Sequence, residues 1–372
     1  MPLSEVRTPA APARGRTPAR SPLATLLGVL AAVVALAAPL LGAAAPASAA
    51  PRTITLAPGP HVRVEFRDAV EALRPGDTLQ LAPGTYEIGY LWLKVARGLA
   101  SAPIVVKAQD WRRPPLLRGG LNLTDADHWT LHRLRVEATA PNGPALHMTG
   151  GTGWRVTSSE FFGARNTDAY ANVAIDGGGG YPRGFVFSQN CVHDAGRSER
   201  WKTDHNIYVK FRGAPGSGGT ISKNTIYNHQ NGAGIKLGDG GLPGAPGPWG
   251  VKVEQNTIAQ GGRQVLLSHD VRGNVVVGNL LYGSTEPFTT ADRRTTGIYA
   301  LMVSGTGNKV ADNYVARASM ALRDPYGKVG VSGVTAVRPD PGFRGTGSCA
   351  ALDPTYWKAR YYGRTSTGVY RS

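Results

Sequence analysis

Five short segments of this chain repeat one pattern, an Asn at the third position and an apolar residue at the fifth. They are 188–192, 222–226, 254–258, 277–281 and 311–315, centred on Asn190, Asn224, Asn256, Asn279 and Asn313. Successive asparagines are 34, 32, 23 and 34 residues apart. A second short run, rich in β-branched residues, accompanies most of them: 173–175, 207–210, 235–237, 265–267 and 301–303. No window carries apolar residues at i, i+3 and i+4 for ten residues or more, so the repeating unit is not helical. With 49 Gly and 27 Pro among 372 residues, about one position in five punctuates structure, which suits many short strands and turns. Short strands recurring at this period read as coils stacked in parallel, each one turn of a parallel β-helix. The Asn then sits at a tight bend, in the left-handed conformation it tolerates, with its amide bonded to the coils above and below.

Residues 1–49 read separately. Arg7, Arg14, Arg16 and Arg20 precede an uncharged apolar run, 26–41, and Ala47-Ser48-Ala49 follows. This is the pattern of a secretory signal peptide, so the mature protein is expected to begin near Ala50, to be secreted and extracellular, and to carry no membrane span. Cys191 and Cys349 both lie in the mature part. Outside the cell they can pair or stay free; a bridge would pin the C-terminal tail to the body. Lys and Arg total 41 against 25 Asp and Glu, a net +16, which suits an anionic partner. No nucleic-acid recognition motif is present, so nucleic acid is not expected as that partner.

Equivalent positions of stacked coils lie about 4.8 Å apart. Aligning the second strands turns Ile207, Val209, Ile235 and Leu237 inward and sets Tyr208 beside Lys236 on the outer face. The neighbouring outward column runs Asp176, Lys210, Gly238, Ser268. Asp204 and His205 open the Tyr208 strand, Asp239 follows the Lys236 strand, and His269 closes the next. One reading is a solvated polar face with an Asp176–Lys210 cross-strand pair. The other is a reaction site. There the like charges of Lys210 and Arg212 lower the pKa of Lys236, which then serves as a base. In a uronate polymer the C5 proton is acidified by the adjacent carboxylate once a cation neutralises the developing charge. Arg263 or Ca²⁺ held by Asp204 and Asp176 would supply that cation, and Tyr208 or His205 would protonate the leaving oxygen.

Other chemistries fit less well. Asn166-Thr167-Asp168 is an Asn-x-Asp, but no adjacent Asp-Asp supplies the second carboxylate of a glycoside hydrolase. Gly-x-Ser-x-Gly is absent, as is any Cys/His zinc spacing. The four-glycine run 177–180 is a turn between coils, since no Lys-Ser/Thr follows it.

The stretch 68–86, Asp-Ala-Val-Glu-Ala-Leu-Arg-Pro-Gly-Asp-Thr-Leu-Gln-Leu-Ala-Pro-Gly-Thr-Tyr, together with the Asn repeat, resembles the right-handed parallel β-helix superfamily of extracellular polysaccharide-active proteins, pectate-lyase-like in the broad sense. The resemblance covers about residues 54–340. It implies an all-β, right-handed parallel β-helix with an N-terminal helical cap and a solenoid domain over 50–340. The tail 341–372 lacks the repeat and carries Tyr356, Trp357, Tyr361, Tyr362 and Tyr370 beside Arg and Lys; it is expected to cap the open end of the solenoid, with a sugar-stacking platform as the alternative. Against the pectate lyase pattern, Asp204 matches the first Asp of an Asp-x-x-x-Asp pair, and Tyr208 stands at the second. His229 matches the His of His-x-Lys, Asn231 replaces the Lys, and Arg263 fits the Arg that follows a later Asn. The functional expectation is a monomeric lyase that cleaves an anionic uronate polysaccharide by β-elimination. An epimerase and a non-catalytic carbohydrate-binding or cell-surface protein are the alternatives.

Overall fold

The computed structural model describes residues 50–352, apart from 168, 179, 197–203, 240–244, 286–292 and 346. The expected signal peptide, Asp168 and the aromatic residues Tyr356, Trp357, Tyr361, Tyr362 and Tyr370 lie outside the described residues. No helix among the described residues is long and apolar enough to cross a membrane.

The chain winds as a parallel β-helix with three strand faces per coil. The first face is an 11-stranded parallel sheet running from Thr53–Leu56 to Val329–Ser332. The second and third faces merge into one 15-stranded sheet, because strands such as Thr225–Leu237 and Thr257–Ser268 run through the corner between them. The interior is built from stacked identical positions. Leu131, Val156, Phe187, Ile221 and Val253 follow one another in register on the first face. Val136, Phe161, Val192, Ile226 and Ile258 do so on the second, and Leu146, Val173, Ile207, Ile235 and Val265 on the third. All of these are buried. Each coil alone could not bury its apolar side; stacking makes the core continuous.

The helical cap is the helix Val62–Glu71, with Val62, Phe66 and Val70 buried on one stripe. Positions i, i+4 and i+8 fall on one helix face, and they pack with Leu73, Tyr86 and Ile88 into the core. The helix begins six residues before the stretch that suggested it, and the strand Thr53–Leu56 precedes it and pairs with Thr78–Leu81.

The asparagines form one column inside the corner between the first and second faces. The Asn224 side-chain oxygen accepts from the Asn190 backbone N–H at 2.8 Å and from the Asn190 amide at 3.1 Å. The Asn224 amide donates to the Asn256 oxygen at 2.9 Å and to the Phe187 carbonyl at 3.1 Å. The same contacts recur from Asn256 to Asn279 and from Asn279 to Asn313. The column continues to Ser159 at one end and Thr335 at the other. The left-handed residue, however, is the one before each Asn: Gln189, Lys223, Gln255, Gly278 and Asp312 have φ between 48° and 63°. That residue turns the chain, which frees the Asn side chain to enter the corner and bond the coil on either side. Replacing Asn224 with Leu strands donors and acceptors on two coils, so a loss of about 3 kcal/mol is expected. Equilibrium denaturation measures it, and a loss under about 0.5 kcal/mol would show the ladder to be dispensable.

A shorter ladder missed in the sequence links Asn274 to Asn308 at 3.1 Å, and another links Asn172 to Asn206 at 2.8 Å. Loops of varying length join the third face to the next first-face strand. Connections between the second and third faces vary as well, from 7 residues between Ile258 and Val265 to 17 between Leu281 and Ile298, and together the two sets account for the change of period from 34 to 23 residues, since insertions in a solenoid gather where they do not disturb the stack.

Cys191 and Cys349 are joined in a disulfide. The tail does not close the open end over its described part. Phe343, Cys349 and Leu352 instead lie along the flank of the second face, over Tyr227, Leu280, Tyr282 and Tyr314. Those outward aromatic and apolar side chains would otherwise face water.

Candidate active site on the third face

Strand alternation gives the third face an outward column in which Ala174, Tyr208, Lys236, Leu266 and Tyr299 are in register. Lys236 Nζ donates to the Tyr208 hydroxyl at 3.4 Å and lies 4.5 Å from the centre of its ring. His205 meets the same ring edge-on, 5.1 Å between centroids. Arg263 lies over the Tyr299 ring at 4.7 Å, opposite Ala233 on the strand that carries Lys236. Lys210 Nζ lies 5.0 Å from the Tyr170 ring and 5.8 Å from that of Tyr208. Lys236, Tyr208, His205 and Arg263 are thus gathered within adjoining coils, with Lys210 at the margin.

This is not the solvated polar face that alternation alone suggests. Lys236 is 8% exposed, Tyr208 7%, Arg263 4% and His205 1%. The outward side chains stack on one another, rung upon rung, and exclude water from their stems. Burial is also what lowers the Lys236 pKa, to about 8. Asp239 opposes that shift, and the Lys210 and Arg263 charges reinforce it. The expected cause, like charge from Lys210 and Arg212, is therefore secondary to desolvation.

His205 is positioned by its backbone. Its Nδ1 accepts the Ala233 N–H at 3.0 Å, so the neutral ring carries its proton on Nε2. That Nε2–H is buried and has no hydrogen-bond partner among the described residues. Burial holds the His205 pKa well below the usual histidine range, and the Lys236 charge adds to this. The ring is a neutral donor at neutral pH. Gly232 permits the arrangement: a Cβ there would fall on the Asp204 carbonyl oxygen.

His229, the match to the family's His, is fully buried in the corner between the second and third faces. Its ring lies against Gly261, where a Cβ would sit 2.2 Å from ring carbon Cδ2. Burial lowers its pKa to about 4. On the outer side of that corner is a cavity of about 840 Å³ lined by Gln230, Asn231, Gln260, Tyr282, Ser284 and Arg317.

The two carboxylates expected to share Ca²⁺ lie apart. Asp176 pairs in register with Lys210 and approaches its Nζ at 3.4 Å. Asp204 is at the other end of the strand, where the next residue, His205, bonds the Tyr170 carbonyl. Six residues of extended strand separate Asp204 from Lys210, about 20 Å. The expected cross-strand pair is present; a shared calcium site is not, because hard cations need several oxygens converging on one point. Glu160, Cys191 and His193 come together on the second face. Cys191 is bridged, however, and both His193 nitrogens lie against carboxylates, at 2.9 Å from Asp194 and 3.1 Å from Glu160. That cluster is an ion-paired flank, not a ligand set.

Sequence reasoning overlooked Trp92, which heads the same outward column. The signal was available in Thr85–Leu93, where Tyr86, Ile88, Leu91 and Leu93 are buried and Trp92 is turned out.

No family model matches the sequence, and no curated protein matches it. Solved structures align with the chain. A mannuronic-acid-specific family 6 polysaccharide lyase from human gut microbiota aligns with a TM-score of 0.46 at 16% identity, over 73% of this chain and 66% of its own. A PL6 alginate lyase in complex with a trisaccharide aligns with a TM-score of 0.47 at 16% identity, over 76% and 64%. Pectate lyase Pel9A aligns with a TM-score of 0.41 at 15% identity, over 77% and 78%. The chain spans just under two thirds of the length of the first two.

Proposed function

We propose that the protein is a secreted polysaccharide lyase that cleaves a uronate-containing anionic polysaccharide by β-elimination, with Lys236 as its base. The observation that carries this reading is a buried lysine amine, its pKa brought to about 8, in contact with a tyrosine hydroxyl and flanked by Arg263 and a neutral histidine donor. Burying a cation in this way costs stability, and such groups are retained where their chemistry is used.

In the proposed step the Lys236 amine removes the C5 proton of a uronate. The C5–H electron pair becomes the C4–C5 double bond, and the bond from C4 to the glycosidic oxygen breaks. The leaving oxygen takes a proton from the Tyr208 hydroxyl, while the neutral His205, its Nδ1 already bonded to the Ala233 N–H, donates a hydrogen bond through Nε2–H and keeps its proton. The new Lys236 ammonium then returns its proton to Tyr208 across the 3.4 Å contact, restoring both groups. Arg263 and Lys210 face the carboxylate charge that grows on C5 deprotonation. No step requires a metal, so turnover should survive chelation.

The decisive experiment is a screen of purified mature protein against pectate, alginate and glycosaminoglycans, following the near-ultraviolet absorbance of the unsaturated product. Turnover is expected to rise with pH through about 8, because the reactive form of Lys236 is the free amine. A rate that falls over that range would exclude Lys236 as the base. The deep burial of Lys236 and Arg263 favours one alternative, a non-catalytic carbohydrate-binding protein. In that case polymer is retained and no absorbance develops.

A further inference from the structure

We propose that Trp92 and the cleft beside it form an outlying sugar-binding subsite, which holds a ring of a polysaccharide lying along the solenoid axis towards Lys236. Trp92 is 70% exposed on a strand whose alternate residues are buried. Tyr90 meets it edge-on at 5.7 Å and fixes the ring. Beside the indole is a cleft of about 410 Å³ whose polar lining is Lys94, Arg97, Asn122, Thr124 and Asp125. Arg97 lies 3.7 Å from Asp125 and 3.5 Å from Asp127, so its charge is balanced within the cleft. A flat aromatic platform facing amide, hydroxyl, carboxylate and guanidinium groups matches a pyranose, which has an apolar ring face and a rim of hydroxyls.

The position of the cleft supplies the direction. Trp92 is in register with Asn122, Asn122 with His147, His147 with Ala174, Ala174 with Tyr208 and Tyr208 with Lys236. Five rungs separate the indole from the lysine, about 24 Å. A second cleft of about 290 Å³ shares Arg97 and Asp125 and adds Tyr181 and Arg183 from later coils. That cleft lies at the corner between the third face and the first, past the ends of the third-face strands, and extends the polar surface in the axial direction of Lys236. That the ligand is a polymer rests on the lyase reading; that the cleft takes a sugar ring rests on its own geometry.

Affinity electrophoresis and tryptophan fluorescence titration test this on the mature protein. The probes are alginate, polygalacturonate, hyaluronan, heparin and the neutral glucan laminarin, each as polymer and as trisaccharide. Trp92→Ala should weaken binding of the preferred polymer about tenfold or more, as loss of an aromatic contact that the ligand covers does. The KM for the polymer should rise by a similar factor while the KM for the trisaccharide moves little, and Trp92→Phe should restore most of the affinity. Because Trp92 is exposed, the Ala variant should fold, and circular dichroism checks that. Trp92-dependent binding of laminarin alone would uphold the subsite and overturn the uronate lyase reading. Lys236-dependent cleavage with polymer affinity indifferent to Trp92 would do the reverse. If the wild-type protein retains no polymer of the panel, the subsite is overturned.

Discussion

Replacing Lys236 with Met is expected to lower turnover at least ~100-fold, the usual worth of a positioned base, while raising the stability of the fold. The two effects have one cause. Burial brings the Lys236 pKa from 10.5 to about 8, and such a shift corresponds to about 3 kcal/mol between folded and unfolded states. The sign follows from proton binding. Between about pH 8 and 10.5 the unfolded chain holds the Lys236 proton and the folded chain does not, so stability contributed by this group rises with pH over that window. Below it, both states are protonated and the fold carries the full penalty of a desolvated ammonium. Met fills similar volume without the charge, at the loss of the 3.4 Å contact to Tyr208. A net gain of about 1–3 kcal/mol at neutral pH is expected, read as a higher denaturation midpoint. A purely structural lysine would give the opposite pattern: stability lost and turnover on a confirmed substrate unchanged.

Much of the fold could be read from the residues, because a solenoid repeats its constraints. An Asn wrongly placed in one coil is outvoted by the others, and Asn190 to Asn313 share a column as their spacing requires. The register of Tyr208 with Lys236 came from the same logic: alternation fixes the face, and stacking fixes the neighbour. What the pattern did not contain was the exact corner geometry. Left-handed φ falls on Gln189, Lys223 and Gln255, residues with no strong turn preference, since the demand comes from the Asn side chain that follows. Tertiary hydrogen bonding overrides local propensity there.

The site was legible as a set of neighbours and not as an environment. Period-two alternation labels a side chain outward; it cannot say whether water reaches it. Lys236, Arg263 and His205 point away from the core and are still buried, because Tyr208, Leu266 and Tyr299 stack beside them across coils. That difference changes the cause of the lysine's pKa from like charge to desolvation. Asp176 and Asp204 fail to meet at one cation site for a related reason. Asp176 and Asp204 are on one face in adjoining coils, but a strand's length lies between them, a separation along the coil that an alignment of columns leaves out.

The Cys191–Cys349 bridge is expected to contribute about 2–5 kcal/mol, the range for a crosslink that closes a long loop. Here the two cysteines are 158 residues apart, so the unfolded chain with the bridge loses much of its freedom. The folded side of the balance is the flank: Phe343 and Leu352 cover Tyr227, Leu280, Tyr282 and Tyr314 only while the tail is held there. Polar contacts add to this, among them the Tyr227 hydroxyl donating to the Gly347 carbonyl at 3.5 Å. The Tyr314 hydroxyl donates to the Pro339 carbonyl at 2.7 Å, and Arg317 donates to Asp340 at 2.7 Å. The variant Cys191→Ala/Cys349→Ala should therefore unfold at lower denaturant and expose the tail to limited proteolysis after about residue 340, with the solenoid core still resistant. Denaturation midpoints and the mass of the first proteolytic product measure the two effects. A variant whose midpoint and cleavage pattern match those of the wild type would mean that the flank contacts alone secure the tail. Because the tail lies on the second face and Lys236 on the third, the double variant should keep its turnover, which separates loss of the clasp from loss of the site.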